Sequence, residues 1–268
     1  MLSDLLKTKR MDPADIHIDP YGYDPAFHAS AITLLEYLYK DYFHTQTWGL
    51  DYLPKDSPAI LVSNHAGFLP LDALMLQHAL YSTRKLLVRP LLEDFIMAMP
   101  FAASYLPRLG FARASRDDAL RLLQEGQMVL TFPEGVKGLE KTVGERNKVK
   151  RFGRGGIIKL ALMSGAPIIP VAIDGPGAAY PMYFRLRTIG ELLGLPFLPV
   201  TPTFPILGPL GLLPLRVTLK IKIGKPINLN KRRLKNKAEE PFILEMNEKV
   251  RTVVKDLMYE LHSSGGKN

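Results

Sequence analysis

The segment AILVSNHAGFLPLDALML, Ala59 to Leu76, carries a strand signal, a loop and a helix signal in succession. Ala59 to Ser63 is a short β-rich run, and Pro70 stands where the first turn of a helix tolerates a missing N–H. Apolar residues then recur from Leu71 onward, with Asp72 in the first turn. His65 and Asp72 are the titratable side chains of this stretch. One stands at the end of a buried strand and the other at the start of a helix, which raises the question of whether they work as a pair.

The same alternation continues along the chain. Residues 26–44 read as an amphipathic helix, with Ile32, Leu35, Leu38, Tyr39 and Tyr42 at helical spacing. KLLVR (85–89) reads as a strand, and 91–105 as a helix kinked at Pro100. SRDDALRLLQEG (115–126) is a Ser-capped helix ending at Gly126, and QMVLTF (127–132) a buried strand. A helix over 156–164 precedes a strand over APIIPVAI (166–173). VTLKIKI (217–223) alternates strictly, which buries one face and leaves Lys220 and Lys222 on the other. The last helix covers 241–262. Strands interleaved with helices give an α/β fold with a mainly parallel central sheet flanked by helices. Residues 1–25 read as an amino-terminal extension, 26–240 as a single domain, and 241–268 as a carboxy-terminal amphipathic helix and tail. Ligands of such sheets sit at the carboxyl ends of the strands. AILVSNH and VLTFPEG both end there in polar residues.

Composition narrows the chemistry. The chain has 268 residues, 47% of them apolar and 23% charged, as in an ordinary folded protein. It contains no cysteine, which excludes disulfides, thiolate metal sites and a thiol nucleophile. The net charge of +9 is unevenly spread. Arg216 to Lys237 holds nine Lys and Arg and no acid, and Lys137 to Arg154 holds seven cations and two anions. Such clusters favour an anionic partner. The amino terminus is no signal peptide, because Asp4, Lys7, Lys9 and Arg10 interrupt any apolar core. The longest uncharged run, Leu192 to Leu215, is 24 residues long but holds six prolines, so it reads as a hydrophobic, largely irregular loop. No membrane-spanning helix is expected.

Five histidines (17, 28, 44, 78 and 262) lie outside any paired motif and read as surface or satisfied imidazoles. His65 differs by following a buried strand directly. A second polar strand end, TFPEGVKG (131–138), joins a Pro-Glu-Gly turn to Lys137, and Gly135 permits a positive φ there. FGRGGIIKLA (152–161) imitates a glycine-rich dinucleotide loop but lacks the Gly-x-Gly-x-x-Gly spacing, so Gly155 and Gly156 read as a tight entry into the next helix. A weak anion site at that helix start stays open.

In order, SNHAGFLPLD (63–72), GFARASR (110–116), FPEGVKG (132–138) and IIPVAI (168–173) make the chain resemble the lysophospholipid (glycerolipid) acyltransferase family. The resemblance covers roughly residues 30 to 230. It implies His65 as general base with Asp72 as its partner, and Asn64, beside them in the motif, as a substrate-binding residue. It further implies Arg116, or else Arg113, as a phosphate contact, and Glu134 and Gly135 in the acceptor pocket. Lys137 stands where the family often has Arg. The chain departs from the family in three places. Six residues rather than four separate His65 from Asp72, Val136 replaces a common Ser or Thr, and Ser115 replaces an acidic residue before Arg116.

The side chains suit acyl transfer on their own terms. A histidine of ordinary pKa near 6.5 can take a hydroxyl proton at neutral pH, and a neighbouring carboxylate fixes its tautomer. No Gly-x-Ser-x-Gly elbow occurs, so direct attack by an acceptor hydroxyl is the simpler route. The resemblance implies acyl-CoA or an acyl carrier protein as donor and a glycerolipid acceptor, lysophosphatidate first. No cofactor and no metal are called for. The apolar 192–215 run beside the basic 216–237 run suggests a peripheral protein on the cytoplasmic face of an anionic membrane. A catalytically silent lipid-binding relative is the alternative. A nucleic-acid binder is disfavoured, since the basic runs lack interleaved aromatics.

Overall fold

The computed structural model describes residues 18–55, 57–65, 67–97, 99, 102–229 and 239–263. The strands are β1 (Gln46–Trp48), β2 (Ile60–Ser63), β3 (Val88–Leu92), β4 (Ala112–Arg113), β5 (Met128–Thr131), β6 (Ile168–Asp174), β7 (Phe184–Leu186), β8 (Leu198–Val200) and β9 (Lys220–Ile223). The longer helices are α1 (Pro25–Tyr37) and α2 (Leu71–Arg84). Two short turns follow, α3 (Asp94–Met97) and α4 (Ala102–Tyr105), and then α5 (Arg116–Gln124). The rest are α6 (Val136–Leu139), α7 (Gly156–Ser164), α8 (Pro176–Ala179), α9 (Arg187–Leu192) and α10 (Glu239–Ser263).

Seven strands form one sheet in the order β1-β9-β6-β2-β5-β3-β4. Every neighbouring pair is parallel except β6 and β9. The expected α/β class with a mainly parallel sheet is therefore the one observed. Strand geometry sends successive side chains to opposite faces. Ile60 and Val62 accordingly face the layer made by α5, α7 and α10, whereas Leu61 faces α2. The central strands β2, β5 and β6 are buried on both faces, which explains their continuous apolar sequences. Burial at ~25 cal/mol per Å² of apolar surface makes these faces the main source of stability.

Local sequence sets the element ends. Asp24 caps α1 by accepting from the Phe27 amide at 2.9 Å, and Ser115 caps α5 by accepting from Asp118 at 3.0 Å. α1 runs into a wider helical turn, Leu38–Tyr42, before the chain reverses at His44. α10 buries Phe242, Met246, Val250, Val254, Leu257 and Leu261 along one side, and this stripe closes the sheet face over β6.

Two expectations are corrected. The strand read at 85–89 begins at Val88, because Lys85 takes a left-handed conformation to end α2 and β5 sets the pairing from Val88 onward. The helix read over 91–105 is absent as one element. Leu91 and Leu92 remain in β3 by pairing with Ala112 and Arg113, and among the described residues the short α3 and α4 follow. Residues 192–215 are largely irregular, as expected, with two short ordered pieces. Leu198 to Val200 pair antiparallel with β7 in a separate ribbon, and a 3-10 turn spans Gly208–Leu212. Pro199 joins this pairing on an edge, where its missing N–H has no ladder to break. Residues 1–17 of the expected extension, with His17, lie outside the described residues, as does the 230–238 part of the basic run. Among the described residues no helix is long and apolar enough to cross a membrane.

Candidate active site

β2 delivers Asn64 and His65 to the carboxyl edge of the sheet, between the ends of β5 and β6. The chain then turns through Gly67, whose φ of 93° favours glycine and where an added Cβ would lie 3.1 Å from the Pro176 carbonyl oxygen. Because α2 starts at Leu71, Asp72 lies in its first turn and points back to the strand end. Its Oδ2 lies 2.6 Å from His65 Nδ1, and its Oδ1 accepts from the Ala73 amide at 2.8 Å. The six-residue spacing thus closes into a direct contact, with side chains only 7% and 0% exposed. An ionised carboxylate can only accept, so Nδ1 carries the proton and Nε2 is the basic nitrogen. Nε2 has no partner among the described residues.

Phe132 and Glu134 complete the floor. The Phe132 ring stacks on the imidazole with centroids 4.3 Å apart. Glu134 Oε1 accepts from the His65 amide at 2.9 Å, and Oε2 accepts from the Lys150 amide at 2.7 Å. Lys141 Nζ donates to Glu134 Oε1 at 2.9 Å and to the His65 carbonyl at 2.7 Å. Glu134 and Lys141 are buried together. Burial holds the Lys141 ammonium below its usual pKa, and the Glu134 carboxylate opposes that shift.

The residues singled out in the sequence therefore take different places. Asn64 is fully buried and exchanges two hydrogen bonds with Ile173, at 2.8 and 2.9 Å. It latches β2 to β6 rather than facing an opening. Glu134, read as a pocket wall, lies beneath the His65 backbone with both oxygens occupied. Gly135 has φ +55° and ψ −147°, a conformation that favours glycine. Lys137 is exposed on α6, one residue before Gly138, which packs on His65. Arg113 is engaged by Asp94 in two hydrogen bonds of 2.6 and 2.8 Å. Arg116 is exposed at the start of α5 and lines a cleft with Thr131 and Pro133. Phe132, between those two residues, faces His65, so the cleft lies on the other side of the sheet. Gly138 and Lys141 were not singled out. Lys141 stands among other lysines of a basic run, and nothing in its neighbours marks it as buried.

The remaining described histidines have local partners. His78 Nε2 meets Glu36 at 2.6 Å, His28 Nδ1 meets the Tyr23 hydroxyl at 3.1 Å, and His44 and His262 bond backbone carbonyls in their own turns. No cluster of three or more His, Asp or Glu suited to a metal occurs among the described residues.

This geometry meets its relatives at residues 44–174, which match the acyltransferase family. The chain belongs to that family. It is 36% identical over 251 residues to an uncharacterized protein of Mycobacterium tuberculosis, covering 92% of this chain and 70% of that one. A chloroplastic 1-acyl-sn-glycerol-3-phosphate acyltransferase of Brassica napus is 28% identical over 151 residues, 52% of this chain and 40% of its own length. The crystal structure of the 1-acyl-sn-glycerophosphate acyltransferase from Thermotoga maritima shares the fold. The TM-score is 0.54 at 20% identity, over 88% of this chain and 82% of that one. The acyltransferase thus carries its family motifs at the carboxyl edge of one sheet. Three of them, around His65, Glu134 and Ile173, are tied together by hydrogen bonds.

Proposed function

We propose that this acyltransferase moves a fatty acyl chain from a thioester donor, acyl-CoA or acyl carrier protein, to the hydroxyl of a glycerolipid, with lysophosphatidate first among acceptors. The observation that carries the reading is the 2.6 Å contact between His65 Nδ1 and Asp72 Oδ2. It presents Nε2 as a base of fixed orientation at a strand end. The acceptor hydroxyl gives its proton to Nε2 as its oxygen attacks the thioester carbonyl. The tetrahedral intermediate then expels the thiolate, which takes that proton back from the imidazolium. Asp72 stabilises the imidazolium between the two steps. Glu134, Lys141 and Asn64 hold the strand end in place. Lys137, with no ion-pair partner among the described residues, is the cation we assign to an acceptor phosphate; Arg113 is already engaged by Asp94.

The acceptor class is supported by the plant relatives named as acting on 1-acyl-sn-glycerol 3-phosphate. A peripheral position on an anionic membrane is supported by the exposed apolar side chains of the 183–215 segment, which Arg216 follows directly.

The test is a panel of lysophospholipids and acylglycerols with labelled acyl-CoA and acyl carrier protein. Acylated lysophosphatidate is expected, and His65→Ala should lower turnover ~10²–10⁴-fold. Failure to acylate any acceptor, with the protein folded and lipid present, would refute the reading.

A further inference from the structure

On the sheet face opposite His65 lies a cleft of about 370 Å³ lined by three cations. Arg116, Arg154 and Lys159 line it, and no carboxylate does. The closest carboxylate to Arg116 is Asp117, at 3.7 Å on the exposed surface, and neither Arg154 nor Lys159 has an ion-pair partner among the described residues. Two nine-residue helices, α5 and α7, start at its rim. α5 is capped by Ser115, whereas no side chain caps α7. α7 enters through Gly155, where a Cβ would lie 2.2 Å from Ile243 Cγ2, and a Cβ on Gly156 would meet nothing within 4 Å. An uncapped helix start with open space beside it presents free N–H groups and the positive end of the helix dipole to an anion.

Asn247 is an independent sign of a ligand. It is 6% exposed and lines the cleft. Its Nδ2 donates to the Gly153 carbonyl at 2.8 Å, which fixes the amide orientation, and its buried Oδ1 has no partner. A buried acceptor without a donor is costly, so the site suits a ligand that brings an N–H or O–H. Leu91, Ile157 and Leu160 add apolar surface. The cleft therefore matches a phosphate monoester joined to an apolar group that carries hydrogen-bond donors.

We propose that this cleft binds the nucleotide end of coenzyme A, with the 3′-phosphate at Arg154, Lys159 and the α7 amino terminus. The inference rests on the acyltransferase reading, and position selects the donor over the acceptor. In a glycerolipid the phosphate is only a few bonds from the reacting hydroxyl, so both must lie on the His65 side. In acyl-CoA the whole pantetheine arm separates the phosphates from the thioester and can reach around the end of β5.

The test is calorimetric titration of the full chain with coenzyme A, 3′-dephospho-coenzyme A, sn-glycerol 3-phosphate and inorganic phosphate. Coenzyme A should bind roughly tenfold or more tightly than its dephospho form, and Arg154→Gln/Lys159→Gln should erase that difference. Gly156→Ala, which keeps the cations, should weaken coenzyme A alone by filling space beside the helix start. Equal binding of the two coenzymes by the parent overturns the proposal. So does a double variant that loses sn-glycerol 3-phosphate while keeping coenzyme A. Turnover with an unchanged KM for acyl-CoA in the double variant also overturns it, yet leaves the acyltransferase reading standing. No turnover in the parent, with the coenzyme discrimination intact, removes that reading instead.

Discussion

A Cβ on Gly138 would lie 2.6 Å from the Cβ of His65 and 2.9 Å from that of Glu134. The α6 turn thus rests directly on His65, and glycine is the residue that permits the contact. Gly138→Ala should push His65 off its Asp72 partner. Small displacements of reacting groups cost on the order of 10²-fold in rate. Turnover should fall by about that factor, with a smaller fall in melting temperature than a core cavity would cause. Unchanged kcat in a folded Gly138→Ala protein would mean that His65 does not need this support.

Asp72→Asn separates charge from shape. The asparagine oxygen can still accept from Ala73, so α2 should keep its first turn and the melting temperature should change little. Its NH2 would face Nδ1, which favours the wrong tautomer and removes the charge that supports the imidazolium. A loss of ~10²–10⁴-fold in kcat is expected. A drop in stability with near-normal turnover would make Asp72 a helix-capping residue only.

Lys141 and Glu134 are a buried ion pair under the strand end that carries His65. Lys141→Met leaves the Glu134 carboxylate buried without its counter-charge, a change that costs about 3–5 kcal/mol. Adding Glu134→Gln removes the stranded charge, so the double variant should be more stable than the single one. Denaturant unfolding of the four proteins in the cycle measures this coupling, expected at ~0.5–3 kcal/mol. Additive effects would show that the two groups are independent.

Much of the fold was legible because β2, β5 and β6 are apolar on both faces and their flanking helices carry one apolar stripe. The β3 boundary was not. Leu86 and Leu87 have strand-like side chains, yet Lys85 ends α2 and only pairing with β5 decides where the strand begins. His65 and Asp72 stood out because polar residues at a strand end and a helix start interrupt apolar runs. Glu134 was noticed but its surroundings were not legible, since sequence does not show that Lys141 and two backbone amides close over its carboxylate. Lys141 itself carries no local signal; its burial follows from the path of the whole 139–153 loop.

His28 provides a pH readout unrelated to catalysis. It is buried, and burial, with a smaller contribution from the nearby His78, lowers its pKa from 6.5 to about 4. The unfolded chain therefore binds a proton here at a higher pH than the folded one. Stability should fall as pH drops from about 6.5 toward about 4 and should not change through this group above that window. His28→Gln should flatten the pH dependence of the melting temperature between these limits. An identical slope in parent and variant would place the proton uptake elsewhere.

Membrane contact is the remaining expectation, and the fold refines how to test it. Removing residues 196–212 would also remove Phe197, which is buried in the main core and approaches Phe68 at 6.2 Å. That deletion would damage the fold and the surface together. Leu192, Ile206 and Leu210 are instead 81%, 82% and 69% exposed, so replacing them with Ser should leave the packing intact. Full transfer of one such side chain from water contributes ~1.5–3 kcal/mol. Even partial insertion of three predicts a loss of at least tenfold in affinity for anionic vesicles, since about 1.4 kcal/mol is one decade. Co-sedimentation with phosphatidylglycerol vesicles at low and high salt measures it. Salt should weaken the parent by screening its basic residues, and the triple variant should bind poorly at both salts. Equal sedimentation of parent and variant would assign these side chains to another contact and move the membrane-facing surface away from the 183–215 segment.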